Sequence, residues 1–435
     1  MKDKQKDLRV RHPFAWFYCA FWYLLICLPL SGCAAVDEAD ETQMTVALEE
    51  QETLNFYIWS DEESYVRQVT EAYNMLKGWE AVRLHVIPND EHEEWLTNYD
   101  PDCGADLVGL RGNANLVEMQ SKGALLGLSQ YLKNGELDVT AFGNMYNEII
   151  YQGEYYAVPT RSTCWVLYYN KELFDEAGIP YPGEMTWEEY LALAEQMTWG
   201  EGEAQVWGGY FPPWIYHMSA IQSGYYLLDD DLEPVEESLE LLNRLYESGT
   251  HVPYEQIKDR GDDCRYDFEK GNIAMMVNGE WLVNMLLEDE AAGHSVPDWD
   301  IAPLPVPEGV EAGTTVGMYQ FAAITSTCSR PDEAFEFLTF LSGQQGAEIY
   351  ARNAVIPAFS SDEIVEIYAE ASGTKHSDIF FDAKKIQEQP MWYGYDRLLS
   401  MFKEYADKYL SGEDSLRHVM DDFEEERREV LRPSA

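Results

Sequence analysis

The spacing of apolar side chains divides the chain into short β runs alternating with amphipathic helices. Leu54–Trp59 (LNFYIW) has almost no polar interruption, the pattern of a strand covered on both faces. Val66, Val69, Tyr73 and Leu76 follow at helical spacing, Gly78 ends that helix, and Val82–Ile87 makes a second strand. This βαβ unit predicts a parallel pair with a right-handed crossover. Asp106–Leu110 is a third strand, and Arg111-Gly112-Asn113 turns out of its carboxyl end. Cys164–Tyr169 is a β run of strand-favouring residues. Asn170 then starts a helix with Leu173, Phe174 and Ala177 on one face, closed by Gly178. Thr186 with Glu189 forms a capping box, and Trp187, Tyr190, Leu191 and Ala194 repeat behind it. Leu239, Leu242, Leu245 and Tyr246 mark another amphipathic helix. Phe268–Trp281 (FEKGNIAMMVNGEW) reads as a helix stopped at Gly271, a strand over Ile273–Val277, and a bend at Gly279 from which Trp281 emerges. Phe321–Ile324 is a strand. Pro331 opens a helix with Ala334, Leu338 and Leu341 on one face and Gly343 beyond its end. The last helix runs through Leu416, Val419, Met420 and Phe423.

The first residues have a different pattern. Residues 1–12 are net basic, and Phe14–Leu30 is an apolar run of 17 residues before Leu30-Ser31-Gly32-Cys33. That order is a secretion signal. The tetrad resembles the bacterial lipobox, which implies a signal peptide over 1–32, a lipid on Cys33, and an extracytoplasmic chain held at the outer face of the cell membrane. An uncleaved membrane anchor is the alternative, since the apolar run approaches the span of a bilayer. Residues 33–52, rich in Glu and Asp, read as an acidic tether.

At 435 residues the chain exceeds one ordinary core, so two or three domains are expected. Acidic residues outnumber basic ones 79 to 30. A net charge of −49 repels phosphate backbones, which argues against nucleic-acid binding and favours a soluble monomer. Beyond Cys33 the cysteines are Cys103, Cys164, Cys264 and Cys328, without CxxC or CxxH spacing, which argues against a zinc site and leaves disulfide pairing open. Neither GxSxG nor HExxH occurs. No cofactor, metal or catalytic residue is expected.

Tyr156–Met197 (YAVPTRSTCWVLYYNKELFDEAGIPYPGEMTWEEYLALAEQM) carries a Pro, then LYYNKxLFxxAGI, a second Pro and TWEEYLxLA. This order resembles the first lobe crossing of bacterial extracellular solute-binding proteins of the maltose-binding type. Phe268–Trp281 resembles a second signature of that family, whose Trp usually faces the sugar. The resemblance implies an α/β, two-lobed periplasmic-binding-protein fold of type II, each lobe a mainly parallel sheet flanked by helices, joined by three crossings. Ile301–Pro307 (IAPLPVP), with Gly309, Gly313 and Gly317 soon after, would be the second crossing and Ala354–Phe359 (AVIPAF) the third. The expected N-terminal lobe is 53–162 plus 305–353, and the C-terminal lobe 163–304 plus 354–432. Such a resemblance further implies a lobe closure that buries a carbohydrate and presents it to the permease of an ABC transporter.

A sugar offers an apolar C–H face and a rim of hydroxyls, so its site needs flat rings and side chains that fork hydrogen bonds. Trp214, Trp281 and Trp392 are the candidate platforms from the second lobe. Asp61, Glu62, Arg111, Asn113, Arg161 and Thr163 are the candidate hydroxyl partners, the first four lying at the carboxyl ends of predicted strands. Trp59, closing a buried strand, suits core as readily as ligand wall. Maltose-type members carry a carboxylate where this chain has Thr163, so α-glucan specificity cannot be assumed. Three alternatives stay open: a glycosidase, for which paired carboxylates are abundant; the same fold binding a polyamine, peptide or phosphate ester; and a receptor feeding a sensor kinase. Asp229, Asp230, Asp231 and Glu233 lack the spacing of a calcium loop and read as a solvated turn.

Overall fold

The structure, a computed structural model, describes residues 52–258 and 264–432. The basic segment, the apolar run, Cys33 and the tether up to residue 51 lie outside the described residues. The described residues form ten strands: β1 Leu54–Trp59, β2 Val82–Ile87, β3 Leu107–Leu110, β4 Val158–Ser162, β5 Trp165–Asn170, β6 Met275–Gly279, β7 Trp299–Ala302, β8 Thr314–Gly317, β9 Tyr319–Ile324 and β10 Lys384–Gln387.

The apolar run of β1 is central in a sheet of order β2-β1-β3-β9-β4, parallel to β2 and β3. β9 inserts antiparallel between β3 and β4. Helix Glu63–Lys77 makes the crossover from β1 to β2 and stops at left-handed Gly78. It buries Val66, Val69 and Tyr73, whereas Leu76 is 66% exposed. The core under this helix ends at Tyr73, whose ring meets Phe337 and Phe340, so the last turn faces solvent.

The second sheet has the order β6-β5-β7 and departs from the expected mainly parallel arrangement. β5 runs antiparallel to both neighbours. It starts at Trp165 on arrival from the other sheet, opposite Gly279 where β6 ends, so the two strands run in opposite directions. Isolated parallel bridges border it at Trp207↔Ile273, Gly209↔His251 and Tyr210↔Met276. Asn170 caps helix Lys171–Ala177, and the Thr186–Glu189 capping box opens helix Trp187–Gln196.

Each sheet has its own core. Phe56, Ile58, Leu107, Val108, Phe321 and Phe337 belong to one; Trp165, Tyr168, Phe174, Tyr190, Met276 and Leu286 belong to the other. The chain passes between them first at Ser162–Trp165. The second passage is not at Ile301–Pro307. Ile301, Leu304 and Val316 all pack in the second core, and only Tyr319 belongs to the first. Val306 instead bridges Thr186 in parallel, the edge position that a proline-interrupted run can take. The second passage therefore falls at Gly317–Met318. At Ala354–Phe359, the third, Ala354 and Ile356 face the second core while Val355 and Ala358 face the first.

These passages are hydrogen-bonded to one another. Thr163 N–H donates to Met318 O and Met318 N–H to Thr163 Oγ1, both at 2.8 Å. Ser162 N–H donates to Ile356 O and Ala358 N–H to Thr160 O, both at 3.1 Å. Gly317 permits the approach, since a Cβ there would lie 2.4 Å from Thr163 O. β8 also pairs with β10, which brings Glu388 N–H to 2.8 Å from Gly317 O. Among the described residues no helix is long and apolar enough to cross a membrane.

Candidate functional site

The junction of the two lobes is organised by Gly279-Glu280-Trp281. β6 ends at Gly279, the chain turns at Glu280, one residue after the expected bend, and Trp281 opens helix Trp281–Ala292. A Cβ at position 279 would sit 2.0 Å from Trp281 Cζ3, so the indole lies directly over the glycine backbone. Trp281 meets Trp165 edge to face, with centroids 5.1 Å apart and planes at 83°. Trp214 meets the same ring at 6.4 Å. Trp165 Nε1–H donates to Glu388 Oε2 at 3.1 Å. The Trp165 indole, flanked by the other two, thus holds a partly buried carboxylate whose pKa is raised, chiefly by desolvation, against the pull of Trp165 and Lys403.

Glu280 points the other way and is 1% exposed. Its Oε1 accepts from Arg161 Nη2 at 2.8 Å and its Oε2 from Cys164 N–H at 3.0 Å. Arg161 Nη1 also donates to Tyr65 OH at 3.1 Å and lies 3.8 Å from Glu62 Oε1. The chain Glu62–Arg161–Glu280 therefore ties β1 and β4 of one lobe to β6 of the other. Glu62 Oε1 and Arg161 Nε have no hydrogen-bond partner among the described residues.

Burial pushes the Glu62 carboxyl up from 4.5 to about 7, with Arg161, Tyr65 and Arg111 offsetting only part of it. A folded-state pKa above the unfolded one means that the folded state holds the proton more tightly. The stability contributed is complete below about pH 4.5 and is lost as pH rises through 7. The stability advantage of Glu62→Gln over the parent should therefore grow between pH 5 and pH 8, by up to about 3 kcal/mol. Urea midpoints at the two pH values measure it, and a gap that stays constant would contradict the assignment.

On the first lobe, the Arg111 guanidinium lies 5.3 Å over the Trp59 ring. Its Nη2 donates to Asn89 O and Oδ1 at 2.6 and 2.7 Å. Trp59 is buried and tilted against His92, a floor beneath Arg111. Asn113 is buried and donates to Gln389 O at 2.6 Å, leaving its Oδ1 unpaired. Gln387, also buried, has neither side-chain atom paired among the described residues. Asp61 is exposed in a recess of about 480 Å³ shared with Arg67 and with Glu288 from the Trp281 helix. The Thr163 hydroxyl is engaged by Met318 at the crossing.

Trp392 is partly exposed and lines a groove of about 630 Å³. Thr97, Ala114 and Glu118 face it from the first lobe and Tyr393, Asp396 and Arg432 from the second. Desolvation, then Glu93 and Glu118, raise the Asp396 carboxyl to about 6. No ring contact among the described residues joins Trp392 to the other three indoles. A recess of similar volume, lined by Ser129, Lys133, Tyr146 and Tyr155, lies wholly on the first lobe.

The structure thus joins Trp214 with Trp281, Glu62 with Arg161, and Arg111 with Trp59, and it sets Asp61 and Trp392 apart from these groups. Trp165, Glu280 and Glu388 complete the site without having been singled out from sequence. Glu280 was within reach, since it stands inside the GEW string. Trp165 reads only as one more residue of an apolar strand, and Glu388 has no periodic or motif signal around it.

This architecture, two α/β lobes meeting at three crossings, defines a solute-binding fold. Residues 100–348, more than half the chain, match the family described as bacterial extracellular solute-binding protein, and the chain belongs to that family. A binding protein of Brucella abortus strain 2308 is 24% identical over 330 residues, covering 73% of this chain and 76% of the relative. The crystal structure of a sugar transporter from Rhizobium etli in an open conformation superposes with a TM-score of 0.78 at 24% identity, covering 86% of this chain and 99% of that one. An ABC substrate-binding protein of Listeria monocytogenes in complex with cycloalternan gives 0.74 at 20% identity, covering 87% and 98%.

Proposed function

We propose that this protein captures a carbohydrate between its lobes outside the cytoplasmic membrane and delivers it to the permease of an ABC importer, acting by binding and not by turnover. In this reading the N-terminal lobe is 53–162 with 318–353 and the C-terminal lobe 163–317 with 354–432. Residues 1–32 are a signal peptide, and Cys33 carries a lipid that holds the acidic tether at the membrane. The observation that carries the proposal is the indole cluster of Trp165, Trp214 and Trp281 beside Glu388. Flat rings with a hydrogen-bonding carboxylate at their edge suit the C–H face and hydroxyl rim of a sugar. The Asn113 Oδ1 and the Gln387 amide, unpaired among the described residues, add polar groups whose burial a hydroxylated ligand would relieve. The cycloalternan bound by the Listeria protein supports a carbohydrate ligand.

A phosphorylated ligand fits poorly, because Arg111 and Arg161 are engaged by Asn89 and Glu280. A polyamine is the second reading, favoured by Glu93, Glu118 and Asp396 gathered near Trp392. Thermal-shift screening separates the two. Neutral oligosaccharides should raise the unfolding midpoint by several degrees, by mass action on the folded state, while polyamines and peptides leave it unchanged. A response confined to amines or peptides would overturn the carbohydrate assignment.

A further inference from the structure

At the opposite end of the Trp281 helix, about 18 Å from Trp281 for its 12 residues, lies a group of ligating side chains that the carbohydrate reading does not use. Gly293 stops the helix in the left-handed conformation, and His294 N–H donates back to Asp289 O at 2.9 Å. This return places the imidazole over the last turn. His294 Nδ1 is 3.4 Å from Asp289 Oδ1 and 3.9 Å from Glu269 Oε2, at the end of helix Cys264–Glu269. One ligand atom from each of the three residues lies within 4.8 Å of the others.

Asp289 is 7% exposed, and among the described residues its Oδ2 has no hydrogen-bond partner; the same holds for Glu269 Oε1. Arg265 Nη1 stands 3.7 Å from Asp289 Oδ2, which is charge compensation without a hydrogen bond. Two facing carboxylates in such a place need either a shared proton or a cation between them.

We propose that Glu269, Asp289 and His294 bind one divalent cation of the zinc class, clamping the end of the Trp281 helix to helix Cys264–Glu269. One imidazole with two carboxylates suits zinc better than calcium or magnesium, which prefer all-oxygen shells. Tetrahedral zinc with bonds near 2.1 Å sets its donors about 3.4 Å apart. The His294–Asp289 separation already matches, and a rotation of the Glu269 side chain closes the remainder. A water completes the fourth position.

The test is a titration of the full chain, stripped with EDTA and dialysed, with Zn²⁺ by calorimetry and native mass spectrometry, using Mg²⁺ as the comparison ion. One equivalent of Zn²⁺ should bind with micromolar affinity or better and raise the unfolding midpoint. His294→Ala, at an exposed side chain that the fold tolerates, and Glu269→Gln should each weaken that binding at least tenfold and abolish the thermal shift. The oligosaccharide response of metal-free His294→Ala should match the parent's, which separates this site from the cleft. Absence of a saturable single equivalent, or unchanged binding in both variants, would overturn the proposal.

Discussion

Glu280→Ala should lower the free energy of unfolding by about 3–5 kcal/mol, the cost of stranding one member of a buried ion pair. Arg161 and Glu280 are both buried, and each is the other's closest charged partner at 2.8 Å. Without Glu280, the guanidinium keeps Glu62 at 3.8 Å as a charged partner and the Tyr65 hydroxyl at 3.1 Å, and the Cys164 N–H loses its acceptor. The double replacement Glu280→Met with Arg161→Met should recover much of the loss, because matched apolar side chains remove the desolvation penalty along with the attraction. Urea unfolding of the two variants decides it. A loss below about 1 kcal/mol for Glu280→Ala would mean that the pair is hydrated and the lobes are not tied through it.

Trp281→Ala should reduce affinity for a neutral oligosaccharide by about thirtyfold or more, corresponding to the 2 kcal/mol or greater of a binding hot spot. The ring supplies flat area, and Trp165 beneath it fixes its orientation. Gly279→Val gives an independent check, since it leaves the indole in the sequence but denies it the space over the backbone. Both variants should lose affinity together. Calorimetric titration measures it, and an affinity within twofold of the parent for Trp281→Ala would remove Trp281 from the site.

Local signals carried most of the fold that was legible in the sequence. The unbroken apolar run of β1, the Thr186 capping box and the left-handed stops at Gly78 and Gly178 each involve residues a few positions apart. The second crossing was misplaced because a proline-rich extended run looks the same whether it links two lobes or lies along an edge. The two cases differ in the burial of Leu304 and Val316 in one core, a tertiary fact. The antiparallel β5 was hidden for a related reason, as strand direction depends on which sheet the chain arrives from.

The site was legible where a string of residues carried it and illegible where distant residues meet. Trp281 stands out within FEKGNIAMMVNGEW. Arg161 was visible as a cleft residue, but its partner lies 119 positions away, and only the fold shows that the pair closes the lobe junction. Glu388 reaches Trp165 across 223 positions. Thr163 offers in sequence a hydroxyl suited to a ligand, yet the same short polar side chain is what lets two crossings bond at Met318.

Hydrogen–deuterium exchange with and without a saturating oligosaccharide examines the two-lobed capture most directly. Protection should appear together in peptides from both sides of the junction, around 60–64 and 111–115 on one lobe and around 280–285 and 388–394 on the other. Protection confined to a single lobe, for instance around Ser129–Tyr155 alone, would contradict binding between the lobes.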